Sequence, residues 1–470
     1  MTILTWSAKQ FSTVRNLREH NPWLFWILVV AVITRVVAYV GGQPWSDRVI
    51  NEVILDGDAL VYHTMSVGFL EGTPLSETNP AANRTMGYPY FLTAIYYFSN
   101  NSIWLVLAVQ TVLNLAMIPM VYVVTRSVFD SKVAGNWAAG LFMASAIALA
   151  WATRYLFTET LFAFLFLGFL VAMIKAKDSD SIRIFFLAGV LLGLATIVRS
   201  VSQFLFVVPV LVVMFQHRAF SRKFVLSITL IAGVVVVISP FQLRNYNEYG
   251  HYSLSTISAS VFYQSAVKAK ARGDGVDFYT AAEQVYPSSN VEGNSNPFDL
   301  SRQRREAGTE TIIEYPVDFI VLYVQGLISF AIGTEKSSYL YVLFNQDRPV
   351  VGTPHNAETF SQRISRNLCD VQSEYFVLPV VIIKLMLEYL LIIAGLFALV
   401  RRDQRATLAI LTLSIAYIVI VTGFMGRAPR YRIPVLPIYA ILGGGGAVLI
   451  TGLIREWWKD RKFHAKSVLK

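Results

Sequence analysis

Apolar runs of about 20 residues recur from one end of this chain to the other, each long enough to cross a hydrocarbon core about 30 Å thick. Only 15% of the 470 residues are charged, where a soluble domain carries about 25%. The chain therefore reads as an all-α polytopic integral membrane protein. Its runs place about ten spans, at 23–41, 103–125, 133–152, 158–175, 184–199, 201–216, 224–241, 376–400, 406–425 and 432–453. The first run, Trp23 to Val40, follows Lys9, Arg15 and Arg18. It outlasts the apolar core of a signal peptide and ends on bulky Tyr39 and Val40, so it reads as a retained helix. The single cysteine, Cys369, excludes an intramolecular disulfide and a Cys/His zinc site. The net charge of +10 is explained by cytoplasmic Lys and Arg meeting anionic lipid rather than by nucleic acid.

Placing the N-terminus in the cytoplasm sorts the short connections. Arg126/Lys132, Lys175/Lys177/Arg183, Arg218/Arg222/Lys223 and Arg401/Arg402/Arg405 then lie inside, with the basic tail from Arg455 to Lys470, as the positive-inside rule requires. Three regions result: 1–241, a transmembrane module with a first outer loop at 42–101; 242–375, an extracytoplasmic segment; and 376–470, the last helices and tail. Gly87 to Phe98 is too short to cross. Val317 to Gly333 lacks a return crossing, because Glu335, Lys336, Asp347, Arg348, Arg363 and Arg366 follow it. Both read as interfacial helices on the outer side, with re-entrant segments as the alternative. The long stretch from Gln242 to Glu314 is expected to fold in part over a site there. Gly443 to Gly446, inside the last span, suggests close helix packing.

Arginines gather where that rule makes them scarce. Arg154, Arg427, Arg430 and Arg432 sit in short outer connections, Arg199 at an outer hairpin, Arg35 near the outer end of the first span, and Arg244 just after the seventh. Taken singly, each is accounted for by snorkelling to headgroups. Taken together they bring guanidinium groups to one level, and guanidinium matches phosphate with paired hydrogen bonds. Asp56, Asp58 and Glu159 lie at the same level. Each has a structural reading, as a loop residue or helix cap for Asp56 and Asp58, and as a helix-start acid behind a Thr158 cap for Glu159. The chemical reading is a general base that takes the proton of an attacking hydroxyl, beside arginines that stabilise a departing phosphate.

The strings that carry these residues resemble a family. "DGDALVYH", followed by "NRTMGYPYFLTAIYYF", is similar to the first outer loop of GT-C glycosyltransferases, in the branch of protein O-mannosyltransferases and the lipid A aminoarabinose transferase. The matching positions are Asp58, Ala59 and Tyr62, then Arg84, Gly87, Tyr88, Pro89, Phe91, Leu92 and Ala94. "RYLFTETLFAFLF" with Glu159, "AGVLLGLATIVRS" with Arg199, "IIEYPVDFIVLYVQGLISF" and "RYRIPVLPIYAILGG" follow in the family's order. Many members carry an adjacent Asp–Glu pair where this chain has Asp56-Gly57-Asp58; the spacing to Tyr62 favours Asp58.

The resemblance implies a polyprenyl-phosphate-linked sugar as donor, an extracytoplasmic site in the plasma (inner) membrane, and a glycan, lipid or protein acceptor. It implies Asp58, Glu159 and Asp56 as catalytic candidates. Arg84, Arg154, Arg199, Arg244, Arg430, Arg432, Tyr62 and Tyr88 would bind the donor phosphate. Related oligosaccharyltransferases need a divalent cation and this branch generally does not, so no cofactor is expected, with a divalent metal held by Asp56, Asp58 and Glu159 as the alternative. A flippase or transporter of lipid-linked sugars is the alternative reading. Ionisable residues within the spans are few (Arg35, Lys384 and Glu388) and lie toward the outer half, which favours a surface site over a path across the bilayer.

Overall fold

The computed structural model describes residues 17–72, 80–176, 179–289, 296–333, 338–339, 342, 374–423 and 429–468. All regular structure among them is helical. The principal helices are α1 (Pro22–Gly41), α2 (Asp58–Glu71), α3 (Gly87–Ser99), α4 (Ile103–Phe129), α5 (Lys132–Met143), α6 (Ala146–Thr153), α7 (Glu159–Ala176), α8 (Ile182–Val198), α9 (Val207–Met214) and α10 (Phe220–Tyr249). They continue with α11 (Ile257–Asp274), α12 (Phe278–Val285), α13 (Pro297–Glu314), α14 (Pro316–Ile332), α15 (Glu374–Arg401), α16 (Arg405–Thr422) and α17 (Leu436–Val468).

Among the described residues, seven helices are long and apolar enough to cross a membrane, or up to nine if each of two bent pairs counts as one span. The chain is thus an all-helical, multi-pass membrane protein. Each of the ten expected spans falls on a helix, with two differences. The span expected at 133–152 is broken into α5 and α6, which meet at 55°. Those expected at 184–199 and 201–216 fall on apolar helices too short to be full spans by length. The turn at Arg199-Ser200 splits what would otherwise be one apolar run.

The break between α5 and α6 explains Arg35. Its guanidinium turns inward rather than snorkelling and is 1% exposed. It donates to the Met143 carbonyl (2.9 Å) at the end of α5 and to Asn114 Oδ1 (3.1 Å), while Asn114 donates to the Ala148 carbonyl (3.1 Å) in α6. Backbone freed at membrane depth is tolerated only where protein groups take up its hydrogen bonds, and here two polar side chains do so.

Packing around α17 is close. A methyl group on Gly444 would clash with the Ala134 carbonyl of α5, and one on Gly446 with the Leu391 carbonyl of α15. The Gly443–Gly446 run lets α17 approach both neighbours at backbone distance, as expected from the sequence. Gly87–Phe98 forms α3, whose Tyr88, Leu92 and Tyr96 are buried against the bundle. α14 turns 103° from α13. It is tied to α16 by Tyr323, whose hydroxyl donates to the Ile420 carbonyl at 2.9 Å. Arg427 and the charged residues Glu335, Lys336, Asp347, Arg348, Arg363 and Arg366 lie outside the described residues.

Candidate active site

A cavity of about 100 Å³ opens where the start of α2, the segment before α3, the start of α7, the Arg199 turn and the segment leading into α17 converge. Asp58, Tyr62, Arg84, Glu159, Arg199 and Arg430 all line it. Of the eleven residues expected at a site, these six come together.

Local chain geometry brings them there. Gly57 takes φ +56, ψ −120, a conformation open to glycine, and α2 begins at the next residue. Neither Asp56 nor Asp58 acts as the expected cap, since that position belongs to Gly57 and no side chain caps it. The Asp58 carboxylate is instead held by Arg84, whose Nη2 lies 2.6 Å from Oδ1. Arg84 is positioned by the close approach of α3 to the end of α8. A Cβ on Gly87 would meet the Ile197 carbonyl at 2.6 Å, and Thr85 donates to the Val198 carbonyl at 2.9 Å. That contact is the physical meaning of the glycine in the Arg84–Gly87–Tyr88–Pro89 string, because it also sets Arg84 beside Arg199.

On the other wall, Arg199 Nη1 lies 2.6 Å from Glu159 Oε1 and donates to Thr158 Oγ1 at 3.0 Å. The Thr158 hydroxyl thus serves Arg199 and Glu159 rather than capping α7. Arg430 bridges the two walls, 3.9 Å from both Asp58 Oδ2 and Glu159 Oε1. Its guanidinium is packed by Trp151, Phe157 and Tyr431, with ring centroids at 5.7, 5.3 and 5.2 Å. Cation–π contacts of this kind hold a cation where water is scarce.

Three guanidinium groups thus face two carboxylates. Arg84 Nε and Nη1 and Arg430 Nε are buried with no hydrogen-bond partner among the described residues. A buried donor left unpaired costs about 1–3 kcal/mol, so the residues around the cavity have one positive charge and three donor nitrogens in surplus. Its chemistry suits an anion with several acceptor oxygens. The two acids differ in access. The Asp58 side chain is 36% exposed and the Glu159 side chain 2%, so Asp58 is the more accessible of the two. Tyr62 forms the floor, its ring edge-on to Tyr88 at 5.1 Å. Burial pushes the Tyr62 phenol up to about 12, so it stays protonated.

The remaining expected residues lie elsewhere. Tyr88 sits behind Tyr62 and donates to Gln110 Oε1 at 2.7 Å. Asp56 is outside the cavity, as is Arg154, which donates to the Gly42 carbonyl beyond α1. Arg244 lies on α10 beside Asn245 and Glu248. Arg432, 2% exposed, donates to the Ala331 (3.0 Å) and Gly333 (2.7 Å) carbonyls and so closes the end of α14. Trp151, Phe157, Thr85 and the α11 residues Ile257 and Val261 were not anticipated at the site. Phe157 stands inside "RYLFTETL", and its place beside an arginine from the far end of the chain left no local signal. Among the described residues, no three His, Cys, Asp or Glu side chains come together as a metal site.

Residues 83–243 match the family of dolichyl-phosphate-mannose-protein mannosyltransferases. The match bears out the resemblance to GT-C membrane glycosyltransferases. It spans the Arg84–Ala94 string, Glu159 and Arg199, while Asp58 and Arg430 flank the matched segment on either side. No curated protein matches by sequence. Among solved structures, the apo oligosaccharyltransferase of Archaeoglobus fulgidus is similar at 15% identity and a TM-score of 0.49, over 91% of this chain and 51% of that one. The oligosaccharyltransferase AglB from the same organism, in complex with an inhibitory peptide and a dolichol-phosphate, gives 15%, 0.49, 91% and 50%. ArnT from Cupriavidus metallidurans, bound to undecaprenyl phosphate, gives 14%, 0.37, 91% and 78%. The chain spans about half the length of the archaeal chains it matches.

Proposed function

We propose that the chain is a membrane glycosyltransferase that moves a sugar from a polyprenyl-phosphate carrier to a hydroxyl-bearing acceptor. The observation that carries this reading is the surplus of buried, unpaired guanidinium N–H groups around the one accessible carboxylate. The mannosyltransferase match over residues 83–243 supports the reaction class. The carriers named in the two lipid-bound neighbour structures are consistent with a lipid-phosphate donor.

In this reading Asp58 takes the acceptor's proton as its oxygen bonds to the sugar's anomeric carbon. The bond from that carbon to the phosphate oxygen breaks, and the electron pair leaves with the lipid phosphate. Arg84, Arg199 and Arg430 stabilise the charge that develops on the leaving oxygen, the term that most often dominates such catalysis. Glu159 is a positioning residue for Arg199. α11 contributes Ile257 and Val261 to the wall the acceptor would pass. The arrangement of basic connections favours a site on the outer face of the plasma (inner) membrane, with both termini cytoplasmic.

The test uses the full chain in nanodiscs containing a lipid-linked sugar fraction, with free polyprenyl phosphate measured by mass spectrometry. Asp58→Asn is expected to lower its release by about 10²–10⁴-fold, the range a general base contributes, while leaving thermal stability close to wild type. Release at the wild-type rate from this variant overturns the assignment of the base. Lipid-linked sugar that crosses a liposome bilayer unconsumed would establish transport instead.

A further inference from the structure

A second cavity, of about 270 Å³, lies at the other end of the bundle. α17 starts directly beyond Arg430 and Arg432 and reaches Glu456 about 30 Å further along its axis. That is the thickness of a hydrocarbon core, so the two cavities open on opposite faces. The second is lined by Phe129 at the end of α4, Arg401 and Arg402 at the end of α15, and Val448, Gly452 and Glu456 of α17.

Its composition is graded. Phe129 is buried and packs over Gly445, giving an apolar floor continued by Val448. Arg401 and Arg402 stand exposed at the mouth and make no ion pair among the described residues. Gly452 leaves a notch in α17, since a Cβ there would meet nothing within 4 Å. Beside the mouth, Trp457 and Trp458 are 48% and 55% exposed and pack edge to face at 5.4 Å. Paired tryptophans mark the headgroup level of a bilayer, which sets the two arginines at phosphate depth with the apolar floor below them. A soluble phosphate compound would match the arginines and leave the floor wet. A lipid matches both.

We propose that this groove holds one phospholipid. The phosphate lies between Arg401 and Arg402, a headgroup hydroxyl or ammonium donates to Glu456, and an acyl chain covers Val448 and the Gly452 notch. Glu456 selects a headgroup that carries a donor, phosphatidylglycerol or phosphatidylethanolamine, over phosphatidylcholine, whose quaternary nitrogen has no proton to give.

Native mass spectrometry of the full chain, released from nanodiscs of the three lipids mixed, tests this. The wild type is expected to retain one phosphatidylglycerol or phosphatidylethanolamine. Arg401→Gln with Arg402→Gln removes charge-assisted hydrogen bonds and lowers retention about tenfold or more. Gly452→Leu fills the notch and lowers it comparably, with both variants still eluting as the wild type does on size exclusion. Millimolar inorganic phosphate leaves the bound lipid in place. Equal retention in wild type and both variants overturns the proposal, as does retention of phosphatidylcholine at the level of the other two, or displacement of the lipid by phosphate alone.

Discussion

At the scale of single residues, the site depends on which groups are paired and which are left open. Asp58 and Glu159 each have an arginine at 2.6 Å, yet only Asp58 keeps exposed surface. Tyr62 shows how burial acts on a neutral group beside them. Its phenol titrates at about 12 in the fold and near 10 in an unfolded chain. The sign follows: the folded state holds the proton more tightly, so Tyr62 is neutral toward stability below pH 10. It weakens the fold as pH rises from 10 to 12, where the unfolded chain ionises first. Thermal melts of wild type and Tyr62→Phe are therefore expected to run parallel up to pH 10. Above it the variant gains, by about 2 kcal/mol at pH 12. A variant that loses ground to wild type between pH 10 and 12 contradicts the burial effect.

At the scale of elements, arginines that the sequence grouped as one phosphate-binding set divide into two kinds. Arg35, Arg154 and Arg432 donate to backbone carbonyls where helices break or end, whereas Arg84, Arg199 and Arg430 face the cavity. Depth alone cannot separate the two, because a helix end and a substrate phosphate lie at the same level. Arg432 shows the structural kind most clearly, with two hydrogen bonds to the last turn of α14. Arg432→Gln is expected to cost about 1.5–3 kcal/mol, the worth of hydrogen bonds to a charged group. Arg432→Lys should recover only part of it, since an ammonium lacks the planar fork. Unfolding curves in detergent measure both. Wild-type stability in Arg432→Gln would return Arg432 to the phosphate-binding candidates.

At the scale of the whole molecule, the helical bundle was legible because hydrophobic length is a strong signal. The ten expected segments all became helices, and the Gly443–Gly446 run announced the tight packing of α17. Asp58, Glu159, Arg199 and Arg430 were legible as charges at a shared level, and Arg84 only through the family resemblance. Their partners were not: the pairing of Asp58 with Arg84, the aromatic packing around Arg430 and the break between α5 and α6 are set by contacts between distant elements. The topology gives a test of its own. With Cys369 replaced by serine, a cysteine at Ser288 should react with a membrane-impermeant maleimide on right-side-out vesicles. One at Asp403, in the turn between α15 and α16, should react only after permeabilisation. The reverse pattern would invert the chain in the bilayer.

The chain order of the five charged groups also bears on synthesis. Asp58 meets Arg84, and Glu159 meets Arg199, within short stretches of sequence, so each pair is neutral soon after it is made. Arg430 follows Glu159 by 271 residues, roughly 15–55 s of translation at typical rates. The growing protein therefore carries a balanced, closed set of ion pairs through membrane insertion. Its affinity for an anion arises only when the last guanidinium is threaded between the two carboxylates.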